Sequence, residues 1–274
     1  FWGKDTKKLG VKERKQIVFL YFCRVISKNK IKLVRALETK KGREKQGLFV
    51  AEGPKVVGDL LAAGFELMEL FEEEEDIKKV SFLQHPQGKL GIFKLPEQTK
   101  TKVGECETAV GTERKVLLGE NELALALDGV QDPGNLGTII RVADWFGIER
   151  IFCSMDTADC WNPKVVQATM GSIARIKMYY LNLNELINSL PTDYPIYGTL
   201  LDGEDIYEEK LSANGLIVMG NEGNGISAAI RQRVNRKLLI PNFSVGTTRA
   251  ESLNVAIATA VVCSEFKRRE QKKA

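Results

Sequence analysis

From residue 123 onward, short apolar runs alternate with stretches in which apolar positions recur at helical spacing. Residues 123–127, 150–153, 196–200, 216–219 and 237–240 read as strands. Residues 137–146, 163–170, 183–190 and 226–234 read as helices between them. A last, longer helix runs from residue 251 to about 269, apolar in its middle and basic at its end. Strands that are apolar along their whole length have no face to give to water. They therefore predict an α/β fold with a mostly parallel sheet and helices on both of its faces.

Ahead of this lies a smaller unit with a different rhythm. Residues 29–40 form a basic amphipathic stretch with Ile31, Val34 and Leu37 on one helical face. Residues 47–52 read as a strand, and Gly53-Pro54 opens a helix that Gly64 closes. Strands follow at residues 66–71 and 90–94, with an acidic run at 72–76 between them. The pattern divides the chain into four parts. Residues 1–26 are an extension outside the main fold, or an added helix packed on the first domain, and 27–96 are a small α/β domain. Residues 97–121 are a polar, glycine-containing linker, and 122–274 are the larger α/β domain.

Charge sharpens this division. Residues 1–50 carry fifteen Lys/Arg against four Asp/Glu, a net of +11, whereas the whole chain is +4, leaving −7 for the remainder. A basic end on a nearly neutral body is the footprint of a polyanion partner, or else a solvated tail. The five cysteines are scattered, with no Cys-x-x-Cys pair, which argues against a zinc site or a disulfide framework and fits a reducing cytoplasm. No apolar run approaches the roughly 18 residues that span a bilayer, so no membrane partner is expected. His85 is the sole histidine, so a Ser-His-Asp triad and an HExxH metal site both lack their parts.

Ligands of such sheets bind beyond the carboxyl ends of the strands. Three segments placed there carry unusual chemistry. The first is Asp128-Gly-Val-Gln-Asp132-Pro133-Gly134-Asn135-Leu-Gly137, leading into a helix that bears Arg141. The second is Gly220-Asn221-Glu222-Gly223-Asn224-Gly225, and the third is Ile240-Pro241 followed by Glu251-Ser252-Leu253-Asn254. Singly, each has a plain explanation: a turn, a glycine loop with GxxGxG rather than dinucleotide spacing, a helix cap. In combination and in this order they resemble the SpoU (TrmH-like) branch of the SPOUT RNA methyltransferases, over roughly residues 27–267.

The resemblance implies a trefoil knot in the C-terminal part of the sheet, a homodimer, and S-adenosylmethionine as cofactor. Carried over by motif, cofactor contacts fall on Thr199, Gly220, Ile240 and Leu253, while Arg141, Asn135, Glu222, Ser252 and Asn254 surround the reacting ribose. The strand around Phe49–Glu52, its flanking helices and the Pro86-Gln87-Gly88 turn resemble the family's RNA-binding domain. The implied activity is 2′-O-methylation of RNA, with ribosomal RNA guanosine ahead of transfer RNA as substrate and no metal required. A non-catalytic RNA-binding assembly factor on the same scaffold is the rival reading. A dinucleotide-dependent oxidoreductase would need its glycine loop earlier and differently spaced. The 242–250 loop is longer than the family's usual, and its Thr247, Thr248 and Arg249 are either RNA contacts or a surface insertion.

Overall fold

The structure is a computed structural model that describes residues 26–96, 118–119, 122–244 and 251–271. Most of the expected extension, most of the linker, and Thr247, Thr248 and Arg249 lie outside the described residues.

The first unit contains the strands β1 (Leu48–Glu52), β2 (Leu67–Phe71) and β3 (Leu90–Lys94), in an antiparallel sheet of order β1-β3-β2. Its helices are α1 (Lys28–Ala36), α2 (Lys40–Gln46), α3 (Pro54–Ala62) and α4 (Glu74–Val80). The single helix expected over 29–40 is broken. Ser27 caps α1, and Thr39 caps α2 by accepting from the Gly42 N–H. Arg43 then turns its guanidinium back to donate to the carbonyls of Leu37 and Glu38, each at 2.8 Å, which satisfies the exposed end of α1. The fold-back is tight enough to require glycine, since a Cβ on Gly42 would lie 1.8 Å from the Ala36 carbonyl oxygen. The acidic run also resolves differently: it leads into α4, whose first turn holds Glu74, Glu75 and Asp76 where a helix dipole favours negative charge. Ile26, assigned by the sequence to the extension, packs into this unit's core.

The second unit is a six-stranded sheet of β4 (Leu123–Asp128), β5 (Arg150–Cys153), β6 (Lys177–Tyr180), β7 (Ile196–Asp205), β8 (Gly215–Gly220) and β9 (Arg236–Leu239). The order is β6-β5-β4-β8-β7-β9 and each of these pairings is parallel. Strand β6 is not evident in the sequence, because Lys-Met-Tyr-Tyr carries no unbroken aliphatic run. Strand β7 continues past Leu200 through a bulge, so that Thr199 and Glu204 both pair with Leu238. Alternate residues of β4 enter opposite layers. Leu123, Leu125 and Leu127 pack under α5 (Pro133–Trp145), α6 (Pro163–Ala168) and α9 (Val255–Gln271). Ala124 and Ala126 pack under α7 (Leu183–Ser189) and α8 (Ala228–Arg231), the latter a single turn where a longer helix was expected. Leu118, at the end of the expected linker, is buried in this second layer.

The two units share one core. The Phe49 ring lies 4.4 Å from that of Trp161, and Phe65 lies 5.9 Å from it. Arg43, only 2% exposed, also binds Asp159 of the second unit at 2.5 Å. One side chain thus closes the α1–α2 turn and fastens the units together.

A second fastening sits at the far end of α9. Buried Glu265 accepts from Arg268 and Arg269, and Arg269 in turn donates to the carbonyls of Ile206, Tyr207 and Glu209 in the segment after β7. Arg268 first, then Arg269, pull the Glu265 carboxyl down to about 2 against the opposing effect of burial.

Asp159→Ala leaves a buried guanidinium without its carboxylate and is expected to destabilise the protein by about 3 kcal/mol, read from urea unfolding; a loss within noise would mean the ion pair does not join the units. The folded pKa of Glu265 is depressed, so its contribution is present above about pH 4.5 and is lost as the pH falls toward about 2. The stability gap between Glu265→Gln and the unsubstituted protein should therefore close over that range, and a gap independent of pH would remove the carboxylate as its source.

Candidate active site

Strand β4 runs outward through β5 to β6 on one side, while β8 runs through β7 to β9 on the other. The carboxyl ends of β4 and β8 thus border the crevice where the winding reverses, the place where open parallel sheets bind ligands. Asp128 at the end of β4 pairs in register with Gly220 at the end of β8. The loops that leave these two residues are the first and second motifs.

The first loop ends in a capped helix start. Asp132 accepts from the Asn135 N–H at 2.8 Å, and Pro133 occupies the first helical position, where its missing N–H costs nothing. Helix α5 thus begins four residues before the Gly137 expected from the sequence, and Asn135 falls in its first turn. The second loop closes on itself through a bridge between Asn221 and Gly225. A Cβ on Gly220 would lie 2.2 Å from the Gly225 backbone, so this fold requires glycine there. Asn221 also donates to the Gly129 carbonyl at 2.7 Å, tying the second loop to the first.

Three motif residues then form one hydrogen-bonded chain. The Asn135 amide donates to Glu222 at 3.0 Å, and its carbonyl oxygen accepts from the Asn254 amide at 2.8 Å. Asn254 accepts in turn from the N–H groups of Ala256 and Ile257, which makes it the cap of α9. That helix starts at Val255, four residues later than the Glu251 expected from the sequence. Glu222 receives two longer bonds from the N–H groups of Gln131 and Asp132, both at 3.4 Å. Burial opposes its charge, yet the Asn135 amide and these backbone donors outweigh it, holding the Glu222 carboxyl below its ordinary range. Glu222 is therefore a hydrogen-bond acceptor at neutral pH and a poor general base.

Arg141 and Ser252 stand apart from this chain. Arg141 is exposed on α5, in a stripe with Thr138 and the 84%-exposed Trp145, and forms no hydrogen bond or ion pair among the described residues. Ser252 is exposed just ahead of Asn254. The residues expected at the cofactor come from adjacent strand ends, since β8, β7 and β9 are neighbours in the sheet. Gly220 ends β8, half-buried Thr199 lies in β7 just before its bulge, and Ile240 follows β9. Leu253, 50% exposed, precedes α9. In the sequence Asn221 reads as one residue of a glycine loop, whereas in the structure its amide joins the two loops. Its position between Gly220 and Glu222 was the available signal. Among the described residues, no three His, Cys, Asp or Glu side chains gather as a metal site, and no helix is long and apolar enough to cross a membrane.

The SpoU rRNA methylase family matches residues 122–264, and the MRM3-like substrate binding domain matches residues 28–108. The 23S rRNA (guanosine(2553)-2'-O)-methyltransferase RlmP of Bacillus subtilis (strain 168) is 32% identical over 240 residues, covering 85% of this chain and 94% of that protein. A TrmH-family structure from Porphyromonas gingivalis superposes with a TM-score of 0.75 at 35% identity, covering 89% of this chain and 99% of the other. An AdoMet-bound rRNA methyltransferase from Sinorhizobium meliloti gives 0.75 at 29% identity, covering 89% and 97%. The fold is an α/β protein with a parallel sheet whose winding reverses between β4 and β8. The chain belongs to the SpoU rRNA methylase family.

Asn135→Ala severs the link between the second motif and the cap of α9. It is expected to cost about 1–3 kcal/mol and to speed amide hydrogen exchange in both Gly220–Gly225 and the first turn of α9. Faster exchange in only one of the two would show that Asn135 does not couple them.

Proposed function

We propose that this protein is an S-adenosylmethionine-dependent RNA ribose 2′-O-methyltransferase acting on guanosine of ribosomal RNA. The observation that carries the reading is the Glu222–Asn135–Asn254 chain, which gathers all three motifs at the β4–β8 reversal. The relatives named for guanosine in 23S rRNA support ribosomal over transfer RNA. In this reading residues 27–96 dock RNA and 122–274 form the catalytic domain, a division the extents of the two family matches support. Lys28, Lys32, Lys40, Lys41 and Lys45 are exposed on α1 and α2 and offer phosphate contacts. The three described cysteines are free and buried, which suits a reducing cytoplasm.

The cofactor residues fit the proposed group by their chemistry. Gly220 lets the Gly225–Ile226 backbone fold onto the end of β8, and half-buried Ile240 and exposed Leu253 offer apolar surface for an adenine ring. When bound, S-adenosylmethionine supplies a methyl group on a sulfonium leaving group. The protein's share is to align the ribose oxygen, which positioning alone accelerates strongly, and to manage its proton. Asn135, held between Glu222 and Asn254, presents a fixed amide beside the ribose. Ser252 adds a hydroxyl near the same end of α9. Arg141 stabilises the developing alkoxide as a fixed cation, since a guanidinium is a poor base near neutrality.

The exposed stripe of Thr138, Arg141 and Trp145 runs along α5, and α9 exposes Ile257. We read this surface as the homodimer face, through which Arg141 reaches the partner's loops. We read the C-terminal part of the sheet as tied into a trefoil knot, which the contact of Arg269 on α9 with the segment after β7 supports.

Labelled S-adenosylmethionine, total RNA from cells lacking the gene, and nucleoside mass spectrometry test this function. One 2′-O-methylguanosine in ribosomal RNA is expected, and no transfer to any RNA would overturn the reading. Arg141→Ala and Arg141→Lys should each lower transfer by about 10²–10³-fold while leaving cofactor affinity unchanged; near-normal rates in either would remove Arg141 from the chemistry.

A further inference from the structure

A crevice opens at the carboxyl ends of β4, β5 and β6, on the α7–α8 side of the sheet. It has a volume of about 250 Å³ and is lined by Asp128, Met155, Leu181, Leu183, Asn184 and Ile230. None of these residues belongs to the cofactor or catalytic set above. Its walls are of two kinds. Leu181, Leu183 and Ile230 are each at most 3% exposed and form the apolar floor, while Met155 is 61% exposed. Five of the nine lining residues are polar, and the Ser154 and Asn182 side chains already accept from the backbone N–H groups of Gly129 and of Asn184 and Glu185. Asp128 accepts from the Ser227 N–H at 2.7 Å through one carboxylate oxygen, and its other oxygen has no partner among the described residues. The Asn184 side-chain amide is half-buried and likewise unengaged among them.

We infer that this crevice takes a guanine base of the RNA substrate, with Asp128 as the residue that selects it. The inference rests on the RNA methyltransferase reading above and names what that enzyme recognises. Guanine presents two adjacent donors, N1–H and the 2-amino group, on its pairing edge, and a carboxylate is acceptor-only when ionised. Adenine places a lone pair at N1, which would face the same carboxylate and be repelled. The Asn184 amide has both a donor for guanine O6 and an acceptor. Proteins that hold an unstacked base combine such edge contacts with apolar surface against the ring, and the methionine thioether packs well on aromatic faces.

The crevice also adjoins the catalytic loops. Asp128 pairs with Gly220, so the two sites share the end of β4. The Gly129 N–H donates to Ser154, another wall residue, at 2.8 Å, and the Gly129 carbonyl accepts from Asn221 beside Glu222. Gly129 therefore links a wall of this crevice to the loop that carries Glu222.

The test uses the full chain with ¹³C-methyl-labelled methionine, titrated with guanosine, inosine and adenosine 5′-monophosphates. The chain has five methionines, and the Met155 resonance is assigned by Met155→Leu. Guanosine monophosphate should shift the Met155 methyl at concentrations about tenfold or more below those adenosine monophosphate needs. Inosine monophosphate, which lacks the 2-amino group, should fall between. Asp128→Asn keeps an acceptor for the Ser227 N–H and should erase the preference. Equal responses to the guanine and adenine nucleotides, no response at Met155, or an unchanged preference in Asp128→Asn would each overturn the assignment. These readouts do not depend on methyl transfer. Nucleotide selectivity without RNA methylation would sink the enzymatic reading and keep the pocket, and methylation without selectivity would do the reverse.

Discussion

The parallel pairing of β4 with β8 is the constraint from which the rest of the site follows. Both strands are buried on both faces, so Leu125 and Ala126 of β4 belong to different layers. A slip of one residue would exchange those layers and is forbidden by packing. The register that results sets Asp128 beside Gly220 and determines where the two loops leave the sheet. From there the contacts are short. Asn221 reaches Gly129, Glu222 reaches Asn135, and Asn135 reaches the cap of α9. The polar site is thus a consequence of an apolar register beneath it.

The same economy appears where the two units meet. Arg43 is a cation with 2% exposure, an environment that would be costly without partners. It has three: the carbonyls of Leu37 and Glu38, and the carboxylate of Asp159. Across the same junction the Phe49, Phe65 and Trp161 rings form one continuous apolar contact. The basic surface of α1 and α2 is consequently held in a defined relation to the crevice of the larger sheet. Glu265 plays a comparable part at the other end, where it orients Arg269 toward three backbone carbonyls after β7.

What could be read from the sequence follows from how local each signal is. The aliphatic runs of β4 and β8 announce buried strands because every position is apolar. Asp132-Pro133 announces a helix start because the carboxylate and the proline ring act within one turn. Strand β6 escaped notice because its Lys-Met-Tyr-Tyr run is a strand only through its neighbour β5. The stretch 29–40 reads as one helix because its apolar spacing continues to Leu37, whereas the break is made jointly by the Thr39 cap, the close approach at Gly42 and the return of Arg43 to Leu37 and Glu38.

The sequence by itself therefore determined the class of fold, the order of its strands and helices in outline, and the family, because motif residues at set spacings survive as text. Tertiary structure alone decided which of those residues meet. It joined Glu222, Asn135 and Asn254 into one chain, left Arg141 on an outward stripe, and put the Asp128 carboxylate at the mouth of a separate crevice. The physical reason is that a hydrogen bond across 87 or 119 residues of chain has no local signature. It exists only after the sheet has closed and brought the strand ends together.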